Sequence, residues 1–251
     1  MDKTRKVCVV TGGGSGLGRV VARRLAERCA VAIGDVDLAG AEETARLIKA
    51  EGGDCIVRRT DVTRADDIRR LIGDTVGTYG GLDYAVNNAA IEGARAMLAD
   101  YDEAEWTRIV TVNLTGVFLC MREEIPHILA RGGGSIVNVG STAGIRGVPL
   151  MSAYVAAKTA LIGLTKTAAL EVADKNLRIN LVCPGSLRTP MSERLYGDNI
   201  DATLANRTPM RRAGELDEIA EPILWLCSEA TTFMTGSVVT IDGGKTAGQM
   251  L

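Results

Sequence analysis

The chain predicts an α/β protein, a doubly wound parallel sheet flanked by helices, and three observations carry that reading. Short apolar runs alternate with helix-patterned stretches from the first residues onward. Several of the runs are continuously apolar rather than alternating, as strands covered on both faces require. A glycine-rich turn, Thr11 to Gly18, leads from the first run straight into the first helical stretch. In order, strands are expected at 6–11, 30–35, 55–60, 82–87, 135–139, 178–182 and 238–241, with helices at 17–28, 39–51, 64–79, 103–130, 153–173 and 215–228. The segment 186–213 breaks this rhythm. It holds Pro190, Gly197, Asp198, Asn199, Pro209 and five arginines but no strand pattern, and an insertion of that kind near a strand end reads as a substrate lid.

Composition bounds the rest. With 251 residues, 46% apolar content and a formal net charge of −2, one compact domain over 1–251 is expected, with no linker, repeat or low-complexity tract to divide it. A pI near 5.6 offers no basic face for nucleic acid. No apolar run approaches the roughly 18 to 20 residues that span a bilayer, and only four apolar residues separate the charged start from Thr11, so a cytoplasmic protein away from membranes is expected. The six cysteines (Cys8, Cys29, Cys55, Cys120, Cys183, Cys227) are scattered without a C-x-x-C pair, which points to reduced, buried thiols. His127, the single histidine, reads as structural, and no metal site is expected.

The glycine turn has the spacing Gly-x-x-x-Gly-x-Gly through Gly12, Gly16 and Gly18. Glycines there let backbone approach a pyrophosphate, and the helix N-terminus that follows attracts its charge. No Gly-Lys-Ser/Thr sequence follows, which disfavours a kinase-type phosphate loop. Asp35 ends the second strand about 20 residues further on, where a carboxylate accepts hydrogen bonds from an adenosine ribose and repels a 2′-phosphate. This favours NAD, with Asp37 a nearby competitor for the role. Asp61-Val62 ends the third strand, and Asn87-Asn88-Ala89-Ala90 ends the fourth.

Tyr154 stands four residues before Lys158 and thirteen after Ser141. On a helix that spacing sets an ammonium beside a phenol. A phenol with an ordinary pKa of about 10 is a poor base near neutrality, and closing that gap takes about 4 kcal/mol of stabilising positive charge. A serine hydroxyl in reach donates to an oxygen that becomes anionic.

Together these motifs resemble the short-chain dehydrogenase/reductase family over essentially the whole chain. The resemblance rests on Thr11 to Gly18, Asp61-Val62, Asn87 to Ala90, Asn113 in Val-Asn-Leu-Thr-Gly, Ser141, Tyr154-x-x-x-Lys158, Pro184-Gly185 with Thr189, and Asp242-Gly243-Gly244. The family's usual Asn-Asn-Ala-Gly is Asn-Asn-Ala-Ala here. The resemblance implies a single-domain Rossmann fold with a central parallel sheet of about seven strands. It implies that Tyr154 is the general acid/base, that Ser141 orients the reacting oxygen, that Lys158 binds nicotinamide ribose and depresses the Tyr154 pKa, and that Asn113 holds a water in a proton relay. The cofactor contacts it implies are Gly12, Ser15, Gly16, Leu17 and Gly18 at the turn, Asp35, Asp61, Val62, Asn87 and Ala89 on the adenosine side, and Tyr154, Lys158, Pro184, Gly185 and Thr189 around the nicotinamide.

For the substrate, Ile145, Val148, Pro149, Leu150 and Met151 suggest a partly apolar alcohol or ketone, and the chain is similar to members that oxidise cyclic secondary alcohols or diols. Arg95, Arg146 and Arg188 are candidates for an acidic group, set against the usual solvation of loop arginines. Two rival readings are a 3-oxoacyl-carrier-protein-type ketoreductase and a non-catalytic dinucleotide-binding module. Helices 103–130 and 153–173 resemble those that pair subunits in the family, implying a homotetramer.

Overall fold

In a computed structural model, described over residues 5–248, the valine-rich first run becomes a central strand. The strands are β1 (Lys6–Thr11), β2 (Cys29–Asp35), β3 (Asp54–Arg59), β4 (Tyr84–Asn87), β5 (Gly134–Val139), β6 (Leu177–Pro184) and β7 (Val238–Ile241). They form one seven-stranded sheet in the order β3-β2-β1-β4-β5-β6-β7, parallel throughout. Alternate residues feed two cores. Cys8, Val10, Ile33, Val137 and Val182 face one helical layer, and Val7, Val9, Ile136, Ile179 and Leu181 face the other. That double coverage is why these strands lack a polar alternation.

Helices α1 (Gly16–Ala26) and α2 (Leu38–Ala50) lie on the first face, and α3 (Ala65–Tyr79) on the second. The expected helix 103–130 keeps one path but changes its winding. α4 (Glu103–Val110) passes through a wide π turn, Thr111–Thr115, into α5 (Gly116–Ala130). Asn113 sits in that wide turn, fully buried, accepting from Ile91 N at 2.9 Å and donating to Ile91 O at 2.8 Å. Such turns recur at functional sites.

α6 (Ser152–Val172) packs on the second face. Segment 186–213 then forms two short helices, α7 (Pro190–Tyr196) and α8 (Ile200–Asn206), before α9 (Leu216–Cys227) returns to the first face. Thr189 and Ser192 build a reciprocal capping box at the start of α7. The chain returns from β3 at the sheet edge to β4 beside β1. Between β1 and β4 the connections diverge to opposite sides, which opens a crevice at the strands' carboxyl ends. The six thiols are buried and free. Among the described residues no helix is long and apolar enough to cross a membrane.

Candidate active site

A cavity of about 700 Å³ occupies that crevice. Its floor begins at the glycine turn. Gly12 and Gly16 have φ of 66° and 51°, a region that disfavours side chains, and a Cβ on Gly18 would lie 2.0 Å from the Gly12 carbonyl oxygen. Asn88 fixes the turn from the next strand, its amide donating to Thr11 O at 3.1 Å and Gly12 O at 3.0 Å. Ser15, at the N-cap of α1, makes no side-chain capping bond, and Ser15, Gly16 and Leu17 line the cavity. Their helix start presents N–H groups without intrahelical partners. Asp35 accepts from Gly14 N at 2.8 Å and from Asp37 N at 2.9 Å, and lines the cavity, as Asp37 does not. Between the two acids, therefore, Asp35 is the one on the cavity wall. Arg19 is turned behind the loop, donating to Gly14 O, to Thr44 Oγ1 at 3.0 Å and to Gly40 O at 3.3 Å. This glycine cradle, open helix start and carboxylate fit a dinucleotide.

Further along the crevice, Asp61 closes a local turn by accepting from Thr63 N at 2.9 Å and Oγ1 at 2.7 Å. Val62, Ala89, Pro184, Gly185 and Thr189 also reach the cavity wall. Gly185 must be a glycine, since a Cβ would lie 2.6 Å from Asp242 Cα. Three expected residues stand behind the wall instead. Gly18 is inside α1, and Asn113 is taken up by Ile91. Asn87 turns into the core, donating to Glu124 Oε2 and Asn138 Oδ1, both at 3.0 Å. Burial pushes the Glu124 carboxyl up to about 7, against the downward pull of the Asn87 bond. Glu124 Oε1 and Asn87 Oδ1 have no hydrogen-bond partner among the described residues.

β5 delivers the reacting end. Ser141, just past it, accepts from Ala143 N at 3.1 Å and caps the short 3₁₀ turn Thr142–Gly144. One turn apart on α6, Tyr154 and Lys158 face the same way. Lys158 is 2% exposed, and its Nζ donates to Val139 O at 2.8 Å and lies 5.9 Å from the Tyr154 ring centroid. Burial lowers its ammonium to about 8. Burial also pushes the Tyr154 phenol up to about 12, with the neighbouring Ser141 hydroxyl pulling it back. Ser141, Tyr154 and Lys158 meet on one wall of the cavity. In the protein alone, then, burial dominates the phenol, and the base needs further positive charge.

The other wall comes from the lid segment and the C-terminal loop. Arg194 of α7 pairs with Glu92 at 2.9 Å across the opening. Lys245 donates to Ser186 Oγ at 2.8 Å, and Arg207 donates to Tyr196 Oη at 2.7 Å with its guanidinium 4.9 Å from that ring. Of the three arginines singled out in the sequence, Arg146 lines the cavity. Arg188 pairs with Asp201 at 3.0 Å, and Arg95 lies 5.7 Å from the Tyr196 ring centroid, neither on the wall. Asn88, read as part of the Asn87 to Ala90 motif, is the asparagine that ties down the glycine turn, whereas Glu124, Arg207 and Lys245 escaped the sequence reading. Lys245 had a signal, directly following Asp242-Gly243-Gly244, whereas a Glu123-Glu124 pair on a helix reads as a solvated face.

A nucleotide cradle opening onto a serine-tyrosine-lysine wall defines a dinucleotide-dependent oxidoreductase. The comparisons agree. A family profile described as enoyl-(acyl carrier protein) reductase matches residues 12–246. The cis-4-hydroxycyclohexanecarboxylate dehydrogenase of Sinomonas cyclohexanicum is 42% identical over 96% of this chain and 97% of its own length. A cyclohexanol dehydrogenase of Acinetobacter sp. strain SE19 is 39% identical over 96% and 95%. Among solved structures, levodione reductase superposes with a TM-score of 0.93 at 33% identity, covering 98% of this chain and 99% of that one. The chain belongs to the short-chain dehydrogenase/reductase family.

Proposed function

We propose that the protein is an NAD-dependent dehydrogenase of secondary alcohols, cyclic alcohols or diols among them, with Tyr154 as general acid/base. The observation that carries this is the convergence of Ser141, Tyr154 and the buried Lys158 on the wall of the same cavity that the glycine cradle lines. The relatives' names support the substrate class.

Asp35 receives the adenosine ribose hydroxyls, and exposed Val36 beside it offers no cation to a 2′-phosphate. Asp61, Val62 and Ala89 flank the adenosine; Gly12, Ser15, Gly16 and Leu17 receive the pyrophosphate; Pro184, Gly185 and Thr189 flank the nicotinamide end. These residues would hold a nicotinamide whose oxidised ring would supply the hydride acceptor and a positive charge near the phenol. Ser141 donates to the alcohol oxygen and holds it toward Tyr154 Oη, which takes the proton. Lys158, fixed by Val139 O, contacts nicotinamide ribose and stabilises the phenolate. Bringing the phenol from about 12 to neutrality asks about 7 kcal/mol of these cations. Asn113 fixes Ile91 with its side chain, which leaves its main chain for a relay water. Segment 186–213 acts as a lid, tied across the opening by Arg194 and Glu92.

The test is kcat/KM for cyclohexanol and its relatives with NAD and with NADP, followed at the NADH absorbance. A tenfold preference for NADP(H) overturns the NAD assignment. One second reading, reduction of a 3-oxoacyl carrier, is favoured by a 37% identical relative over 95% of this chain, the 3-oxoacyl-(acyl-carrier-protein) reductase of Thermotoga maritima. Faster turnover of a 3-oxoacyl thioester with NADPH than of any ring alcohol with NAD replaces the first reading with it. Assembly as a homotetramer is supported by Phe118, 44% exposed on α5, and Leu170, 79% exposed on α6. Sedimentation at micromolar concentration decides it, a monomer overturning the assignment.

A further inference from the structure

The cavity carries opposite charge at its two ends, and the substrate end lacks its counter-ion. Asp35 and Asp61 line the adenosine end. At the other end Arg146, Arg207 and Lys245 line the cavity together, and none of the three forms an ion pair among the described residues. The neighbouring acids are taken up elsewhere. Glu92 pairs with Arg194, Asp201 with Arg188 and Glu218 with Arg212. Asp242 accepts from Gly244 N at 2.9 Å, Thr246 N at 2.8 Å and Thr246 Oγ1, closing its own turn.

Lys245 is held in place. Its Nζ donates to Ser186 Oγ, one residue past Gly185. The loop bearing it is pinned beneath the lid, a Cβ on Gly243 reaching Thr208 Cγ2 at 2.6 Å and one on Gly244 reaching Pro209 Cγ at 3.3 Å. Burial, then the charges of Arg146 and Arg207, bring its pKa down to about 8 against the upward pull of Asp242. Below that value it stays charged. Three cations gathered round a partly enclosed space repel one another unless an anion arrives. The cavity wall also includes Val148, Met151 and Leu195, apolar side chains that suit a ring.

We infer that the alcohol carries a carboxylate remote from its carbinol carbon, and that Lys245, Arg146 and Arg207 receive it. This rests on the secondary-alcohol reading above and deepens it.

The test compares 3- and 4-hydroxycyclohexanecarboxylate, each diastereomer apart, with their methyl esters. The acid is expected to exceed its ester at least tenfold in kcat/KM, chiefly through KM, with an advantage that shrinks as salt rises. Lys245→Met is expected to cut the acid-to-ester ratio at least tenfold, and Lys245→Arg to restore most of it. Cyclohexanecarboxylate, which has no hydroxyl to oxidise, reports binding alone. It should inhibit more tightly than cyclohexanecarboxamide, and the difference should vanish in Lys245→Met.

Equal turnover of acid and ester overturns the inference and leaves the alcohol reading standing. Tight cyclohexanecarboxylate binding without oxidation of any ring alcohol overturns the alcohol reading and retains the anion site. Turnover confined to thioesters of a phosphopantetheine carrier, with acid and ester equal, assigns the cations to the carrier's phosphate and overturns the carboxylate.

Discussion

The two ends of the cavity are built from different materials. At the nucleotide end the contacts are backbone and short side chains, Gly12, Gly16, Asn88 and Asp35, fixed by hydrogen bonds of 2.8–3.1 Å to neighbouring strand ends. At the alcohol end they are long cations, Arg146, Arg207 and Lys245, and a lid held by exposed charge pairs such as Arg194 with Glu92. The first end is made by geometry that tolerates little change, while the second is made by reach and charge, which tolerate much. A protein organised this way keeps its cofactor constant and leaves its substrate adjustable.

The sharpest way to break that contrast is to remove the one group that joins the two ends. Tyr154→Phe is expected to lower turnover by about a thousandfold with NAD binding retained, read as rate against fluorescence quenching. Unchanged turnover removes the acid/base role.

Next comes the buried support under the nucleotide end. The Glu124 carboxyl is raised from 4.5 to about 7, so the folded chain holds a proton that the unfolded chain has released between those values. Stability therefore falls as pH rises from about 4.5 to about 7 and stays lower above. Glu124→Gln removes this penalty and offers a donor to the unpartnered Asn87 Oδ1. Its unfolding free energy from urea titration should gain on the parent from pH 5 to pH 8, by up to about 3 kcal/mol. A difference that does not vary with pH contradicts the account.

A smaller effect is expected at the ribose. Asp35→Ala should shift the NAD-to-NADP ratio of kcat/KM by about tenfold, or about 1.4 kcal/mol, toward NADP. A ratio that does not move reassigns discrimination away from Asp35. The smallest belongs to the lid. Glu92→Gln should change the alcohol KM by at most about fivefold, since exposed pairs contribute about 1 kcal/mol or less.

How far each end was legible in the sequence follows from the same contrast. Strand starts and ends agree to within about two residues because unbroken Val and Ile runs have no other use in a doubly covered sheet. The glycine cradle and Asp35 were legible because their function is encoded at close spacing along one strand-turn-helix unit. Asn87 was not. Its place at a strand end is visible, but which face it presents depends on a glutamate 37 residues away. The π turn at Asn113 was hidden too, since it arises from a contact with Ile91 and not from helix propensity. Arg207 and Lys245 converge from segments far apart in the chain, and no spacing rule announces such a meeting.

Lys158 has one further consequence. Its ammonium hangs from the last carbonyl of β5, two residues before Ser141, and its helix carries Tyr154 one turn earlier. On the proposed mechanism, the proton acceptor and the group that orients the alcohol thus share a single surveyor's mark at the end of β5. On that reading, movement of segment 186–213 can change which alcohols enter without altering the distance over which the proton travels.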